Sequence, residues 1–189
     1  MAKRPMLVYG VDDSILTTLE PPSLEECAMN EPAVGHDVHT HNSVNLSRDE
    51  VAQCVKAAIE MHYLDPNGNC AHSTACALCE RLGVSKDEAF RAMEGFGGGM
   101  GCFSQTCGAV SGAVYLVGMA NSAGLEDRTS KADTYQRAAW VVERFEQEFG
   151  SALCKDLRNP DPQVSKGICD GYIRRAVELA AQAIAGNGL

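Results

Sequence analysis

The sequence predicts an all-α protein: a single bundle of five to six helices with a glycine-rich loop and an irregular N-terminal arm. Three observations predict it. Apolar residues recur at helical spacing, as Val51, Val55, Ala58 and Ile59 do. Helix-start signatures recur, with Ser47-Arg-Asp-Glu50 and Ser85-Lys-Asp-Glu88 both reading as capping boxes. No alternating apolar and polar run of useful length argues for a strand. Helix packed on helix is the architecture that remains.

Residues 1–46 carry four of the seven prolines, three of the five histidines and no helical period, and are read as the arm. Residues 47–189 form the helical domain. Its first helix runs from Ser47 to about Tyr63, and Asp65-Pro-Asn-Gly68 is turn chemistry. Asn69 caps a second helix over 70–82, which Gly83 ends. Ser85 opens a third, stopping at Gly95. Five glycines in Gly95-Phe-Gly-Gly-Gly-Met-Gly101 allow positive φ repeatedly and exclude regular structure there. A fourth helix is expected from about Thr106 to Ala120, and the charged stretch 124–131 is read as a solvated loop. A fifth helix spans 131–149 and ends at Gly150, followed by a short helical turn near 151–157. After a loop holding Pro160 and Pro162, the last helix is expected over 166–185, with Ile173, Val177, Ala180 and Ile184 on one face.

Composition removes several function classes. With 45% apolar residues the chain can bury a core, yet no window reaches the 18 unbroken apolar residues of a membrane span. Sixteen Lys and Arg against 25 Asp and Glu leave a net charge of −9, the wrong sign for a phosphate binder. Aromatics are 6% and Trp140 stands alone, too few for a carbohydrate or single-strand stacking platform. The basic start at Lys3-Arg4 gives way to Asp12-Asp13 with no apolar core of a signal peptide between. A cytoplasmic location is therefore expected, where structural disulfides rarely persist. Nine cysteines, an odd number, then call for metal ligation, redox chemistry or simple burial.

Cys107 is predicted at the N-terminal edge of the fourth helix, directly after the glycine loop. Unpaired amides and the helix dipole there favour a thiolate, which is both nucleophile and metal ligand. Gly108 and Gly112 strip that helix of bulk, so another helix, a cluster or a ligand must approach its backbone closely. The alternative is tight helix packing beside an inert Cys107. The loop lacks the lysine of a phosphate-binding P-loop and the strand of a dinucleotide fingerprint. His72, Cys76 and Cys79 share one face of the second helix. Cys76-Ala-Leu-Cys79 is followed by Glu80 rather than histidine, so no c-type haem is predicted. Burial is the leading reading for that pair, and Cys70, about 200° around the wheel from His72, serves a different centre. His36-Asp-Val-His39-Thr-His41 has metal-ligand residue types but reads first as a solvated loop. Cys27 and Cys54 read as buried single thiols.

Four features in order resemble a known family. They are Asn69-Cys70 opening a helix; the glycine loop leading to Thr106-Cys-Gly-Ala-Val-Ser-Gly112; Phe149-Gly-Ser-Ala-Leu-Cys154; and Cys169 before the final helix. Over roughly 47–185 the chain resembles the redox-type family named for its C_GCAxxG_C_C cysteine pattern, although here the central motif reads Cys-Gly rather than Gly-Cys. The resemblance implies that Cys70, Cys107, Cys154 and Cys169 are the signature cysteines. It also implies kinship with the non-haem part of split-Soret cytochrome c, a dimeric electron-transfer protein bearing haems and an iron–sulfur centre. Without a Cys-x-x-Cys-His the haems do not carry over, whereas the iron–sulfur centre can. A homodimer and a redox partner protein are implied by the same relative.

Three functions follow as expectations. In the first, the four signature cysteines ligate an iron–sulfur cluster for electron transfer, with Gly108 and the glycine loop supplying backbone amides and Cys102 in reserve as a ligand. In the second, thiols cycle through a disulfide, Cys107 attacking and another signature cysteine or Cys102 resolving. In the third, zinc or plain packing holds a helical interaction module together.

Overall fold

A computed structural model describes residues 44–64, 68–125 and 129–186. The N-terminal arm, with Cys27 and the His36, His39 and His41 tract, lies outside the described residues, as do residues 65–67 and 126–128. The described residues belong to one compact unit. They form seven α-helices: α1 (Arg48–Leu64), α2 (Cys70–Leu78), α3 (Lys86–Met93), α4 (Gly108–Asn121), α5 (Lys131–Phe149), α6 (Cys154–Leu157) and α7 (Pro162–Ile184). The all-α expectation holds.

The helix starts lie where the caps place them. Ser47 N–H donates to Glu50 Oε2 at 2.9 Å, and Glu50 N–H returns to Ser47 Oγ at 3.3 Å, closing the predicted box. Asn69 Oδ1 accepts from Ala71 and His72 amides at 2.9 and 3.0 Å. The stops hold too, with Gly83 and Gly150 left-handed at φ 73° and 81°. Three boundaries differ. α2 gives way at Cys79 to a 3₁₀ turn (Cys79–Leu82) rather than continuing as α-helix to Leu82. α4 starts at Gly108, with Cys107 as its N-cap. α7 starts at Pro162, because Asp161 caps it and proline suits the first helical position, whose N–H needs no partner.

α4 is the centre of the bundle, packed against α2, α5 and α7, while α1 lies on α2 and α7. Its Ala109, Val110, Ala113, Leu116 and Val117 are fully enclosed. Burying a leucine such as Leu116 stabilises by about 2 kcal/mol. α4 and α2 approach very closely: a Cβ at Gly112 would lie 2.8 Å from Ala71 O and 3.1 Å from Ala75 N. The small-residue face of α4 is thus the seat of another helix. That contact holds the start of α2, and with it Cys70, against the start of α4.

Candidate functional site

Two distant segments are joined by a single antiparallel bridge between Thr106 and Leu153. Cys107 N–H donates to Ala152 O and Cys154 N–H to Gln105 O, each at 2.7 Å. This pins Cys107, at the head of α4, beside Cys154, at the head of α6. Cys70 opens α2 directly over Gly108, where a Cβ would sit 2.5 Å from Cys70 Sγ and 3.0 Å from Phe96 O. Only glycine fits there. Cys169 lies inside α7 rather than before the final helix, because Asp161 and Pro162 start that helix earlier, and Ser165 one turn back opposes the rise of its thiol.

The glycine loop closes the site from outside. It folds as a 3₁₀ turn (Glu94–Phe96) and a wide π-type turn (Gly99–Phe103) with left-handed φ inside. Gly99, at φ 57°, leaves its missing Cβ 2.5 Å from Cys154 Cβ and 2.8 Å from Gln105 O. The loop is tied back to the cap of α2, since Asn69 Nδ2 donates to Glu94 O at 3.2 Å. Met100 and Phe103 hold φ of 61° and 59° without being glycine. Such strain persists only where the surroundings over-determine it. The Arg158 guanidinium over the Phe103 ring, 4.5 Å from its centroid, is part of that hold. The loop's outer face leaves Phe96, Met100 and Phe103 exposed.

Electrostatics shows how the four sulfurs relate. Burial pushes the Cys107 thiol up to about 12, and the negative charge of Cys70 adds to the shift; the amides of Ala109 and Val110 oppose it, and Cys169 adds a smaller rise. Cys169 is pushed up to about 11 by burial, then by Cys70 and Cys154. Cys154 is raised by burial and then by Cys70, against the pull of Arg158. Cys70 is the common neighbour of the other three. The expectation that the helix start would favour a Cys107 thiolate is corrected here. Cys107 is only 5% exposed, and the cost of burying its charge exceeds what two amides return. A free Cys107 is a protonated thiol at neutral pH, a poor attacking group for disulfide exchange.

No three His, Cys, Asp or Glu side chains among the described residues are arranged to hold a single metal ion. Cys102 stands at the edge of the group, its charge adding a smaller rise at Cys154. It is exposed on the loop, its sulfur 3.0 Å from Ser104 Oγ, and hydrogen bonds from Ser104 lower its pKa. Cys54 is buried, as expected. His72 does not reach the sulfurs of Cys76 or Cys79 as a third ligand. Its ring stacks on Phe90 at 3.6 Å, and its Nδ1 accepts from Asn69 N–H at 3.3 Å, completing an unusual capping box.

One neighbour of the site escaped the sequence reading. His62 Nδ1 sits 2.9 Å from Asp170 Oδ1, joining the end of α1 to α7 beside Cys169. The Tyr63 hydroxyl hydrogen-bonds the same carboxylate, which raises its pKa. The two positions are 108 apart in sequence, and no local pattern links them.

The geometry can be set against known proteins. A protein of Archaeoglobus fulgidus, named only as an uncharacterized protein, is 27% identical over 148 residues, covering 72% of this chain and 96% of its own length. No solved structure matches the chain significantly. The sequence model of one family matches residues 68–183, a span that contains Cys70, Cys107, Cys154 and Cys169. Its description, putative redox-active protein (C_GCAxxG_C_C), points to a redox role, and the chain belongs to that family.

Proposed function

We propose that Cys70, Cys107, Cys154 and Cys169 together hold an iron–sulfur cluster and that the protein carries electrons to or from a redox partner protein. One observation carries this reading. Cys70 is electrostatically coupled to each of the other three sulfurs, while among the described residues no three ligands are arranged to hold a single ion. Zinc at about 2.3 Å from each sulfur would draw the thiols within about 4 Å of one another. A multinuclear centre accepts the wider spacing.

The donor set fits the group. Four thiols suit soft iron, and a cluster of that kind supplies one-electron chemistry when bound. The chain's own residues do the rest. Gly108 and Gly99 let backbone approach Cys70 and Cys154 where any side chain would collide. The Ala109 and Val110 amides direct hydrogen bonds at the Cys107 sulfur, which favours its anionic, ligating form. Burial of Cys107, costly for a bare thiolate, favours a thiolate whose charge a metal offsets.

The test is purification without oxygen, followed by a visible spectrum and analysis for iron, acid-labile sulfide and zinc. Broad visible absorption with matching iron and sulfide is the expected result. A colourless, iron-free protein, or one carrying stoichiometric zinc, overturns the reading.

A further inference from the structure

Cys76 and Cys79 lie in the core at the other end of α2 from Cys70, six residues or about 9 Å along the axis for the nearer of them. Their side chains lie three residues apart on one helical face, at the point where the α-helix ends. Leu78, at φ −124° and ψ −8°, breaks the α-helix, and Cys79 begins the 3₁₀ turn. The two thiols are electrostatically coupled, each shifting the other. Cys79 Sγ also lies 3.7 Å from Cys76 O, and Cys76 Sγ lies 3.7 Å from Lys86 O, under the exposed first turn of α3. Helical Cα atoms three apart are about 5–6 Å distant, inside the range a disulfide bridges. Among the described residues no third His, Cys, Asp or Glu joins them in a metal-holding group, and the pair is treated as a dithiol.

We propose that Cys76 and Cys79 form a two-electron dithiol–disulfide couple oxidised by hydrogen peroxide, separate from the four-cysteine face. Cys79 gives up its proton and attacks one peroxide oxygen. The O–O bond breaks, and the departing hydroxide takes up a proton to leave as water. The Cys76 sulfur then displaces the hydroxyl from the Cys79 sulfenic acid, its proton leaving with that hydroxyl as a second water. Two thiols and one peroxide become one disulfide and two waters. Burial selects the oxidant: Cys79 is fully enclosed and Cys76 is 6% exposed, so bulky disulfides are excluded and only a small oxidant reaches the pair, as the exposed first turn of α3 above Cys76 opens locally.

The proposal stands apart from the cluster reading, and so does its test. The reduced full-length protein is treated with one equivalent of hydrogen peroxide, denatured, alkylated and read by mass spectrometry with fragmentation. Cys76 and Cys79 should escape alkylation together, with the mass of two hydrogens lost between them and restored by dithiothreitol. Cys107→Ser, which removes a proposed cluster ligand, should give the same result, and Cys79→Ala should abolish it. Full alkylation of Cys76 and Cys79 after treatment, or a bridge from either to another cysteine, overturns the proposal.

Discussion

Cys70 and Cys79 stand at the two ends of one helical stretch, yet their sulfurs keep different company. Cys79 is coupled to Cys76 three residues back on the same helical face, a pairing that needs only one segment of chain. Cys70 meets sulfurs from α4, α6 and α7, brought in by a backbone bridge and by glycines that surrender their side chains. The first arrangement is enclosed and two-membered, suited to paired electrons. The second is four-membered and partly open, with Cys70, Cys154 and Cys169 all half-buried. Local geometry is enough for a dithiol, whereas a multinuclear centre needs the whole bundle.

The sharpest way to break the comparison is to exchange the damage. Cys107→Ser should remove essentially all iron and sulfide, while Cys76→Ala with Cys79→Ala should leave both near the wild-type amount, circular dichroism confirming the helices in each. Equal losses would mean the two groups are not separate.

Glycine substitutions sharpen it further. Gly99→Ala pushes a methyl into Cys154 and Gln105 and forces an L-residue into left-handed φ, costing about 3 kcal/mol in urea unfolding. Gly83→Ala, at φ 73° with nothing within 4 Å of its Cβ, should cost only about 1 kcal/mol. Gly83 ends the turn that carries Cys79, whereas Gly99 presses on a proposed ligand, so only the former should keep its iron.

These two glycines also show what the sequence made legible. Caps and stops such as Ser47, Asn69, Gly83 and Gly150 act within a few residues, so the helix boundaries they set were readable. The family was readable as well, from motifs spread over the span that its model matches. The contact of Gly99 with Cys154 was not, because it depends on a bridge between segments near 106 and 153. Burial misled the reading of Cys107, whose helix-start position was correct but whose thiol the core holds protonated. His62 beside Asp170 was invisible for the same reason as the bridge: local pattern does not encode long-range meetings.

Smaller effects follow from the thiols themselves. In metal-free protein the folded state keeps the Cys107 and Cys169 protons that the unfolded chain releases near pH 9. The native state therefore binds more protons between there and about 11 to 12, and stability should fall as pH rises through that window. Below pH 9 the contribution is fully present. Urea midpoints across that range check it, and Cys107→Ala should flatten the slope. Smallest of all is the effect of Cys102, which is exposed and favoured as thiolate. It should alkylate before every other described cysteine, and Cys102→Ala should change stability by less than about 0.5 kcal/mol.

X-ray absorption at the iron edge of anaerobically purified protein tests the central claim most directly. A first shell of sulfur alone, with a second shell of iron, is the predicted result. A mononuclear iron without an iron neighbour, or a shell of nitrogen and oxygen, would contradict it.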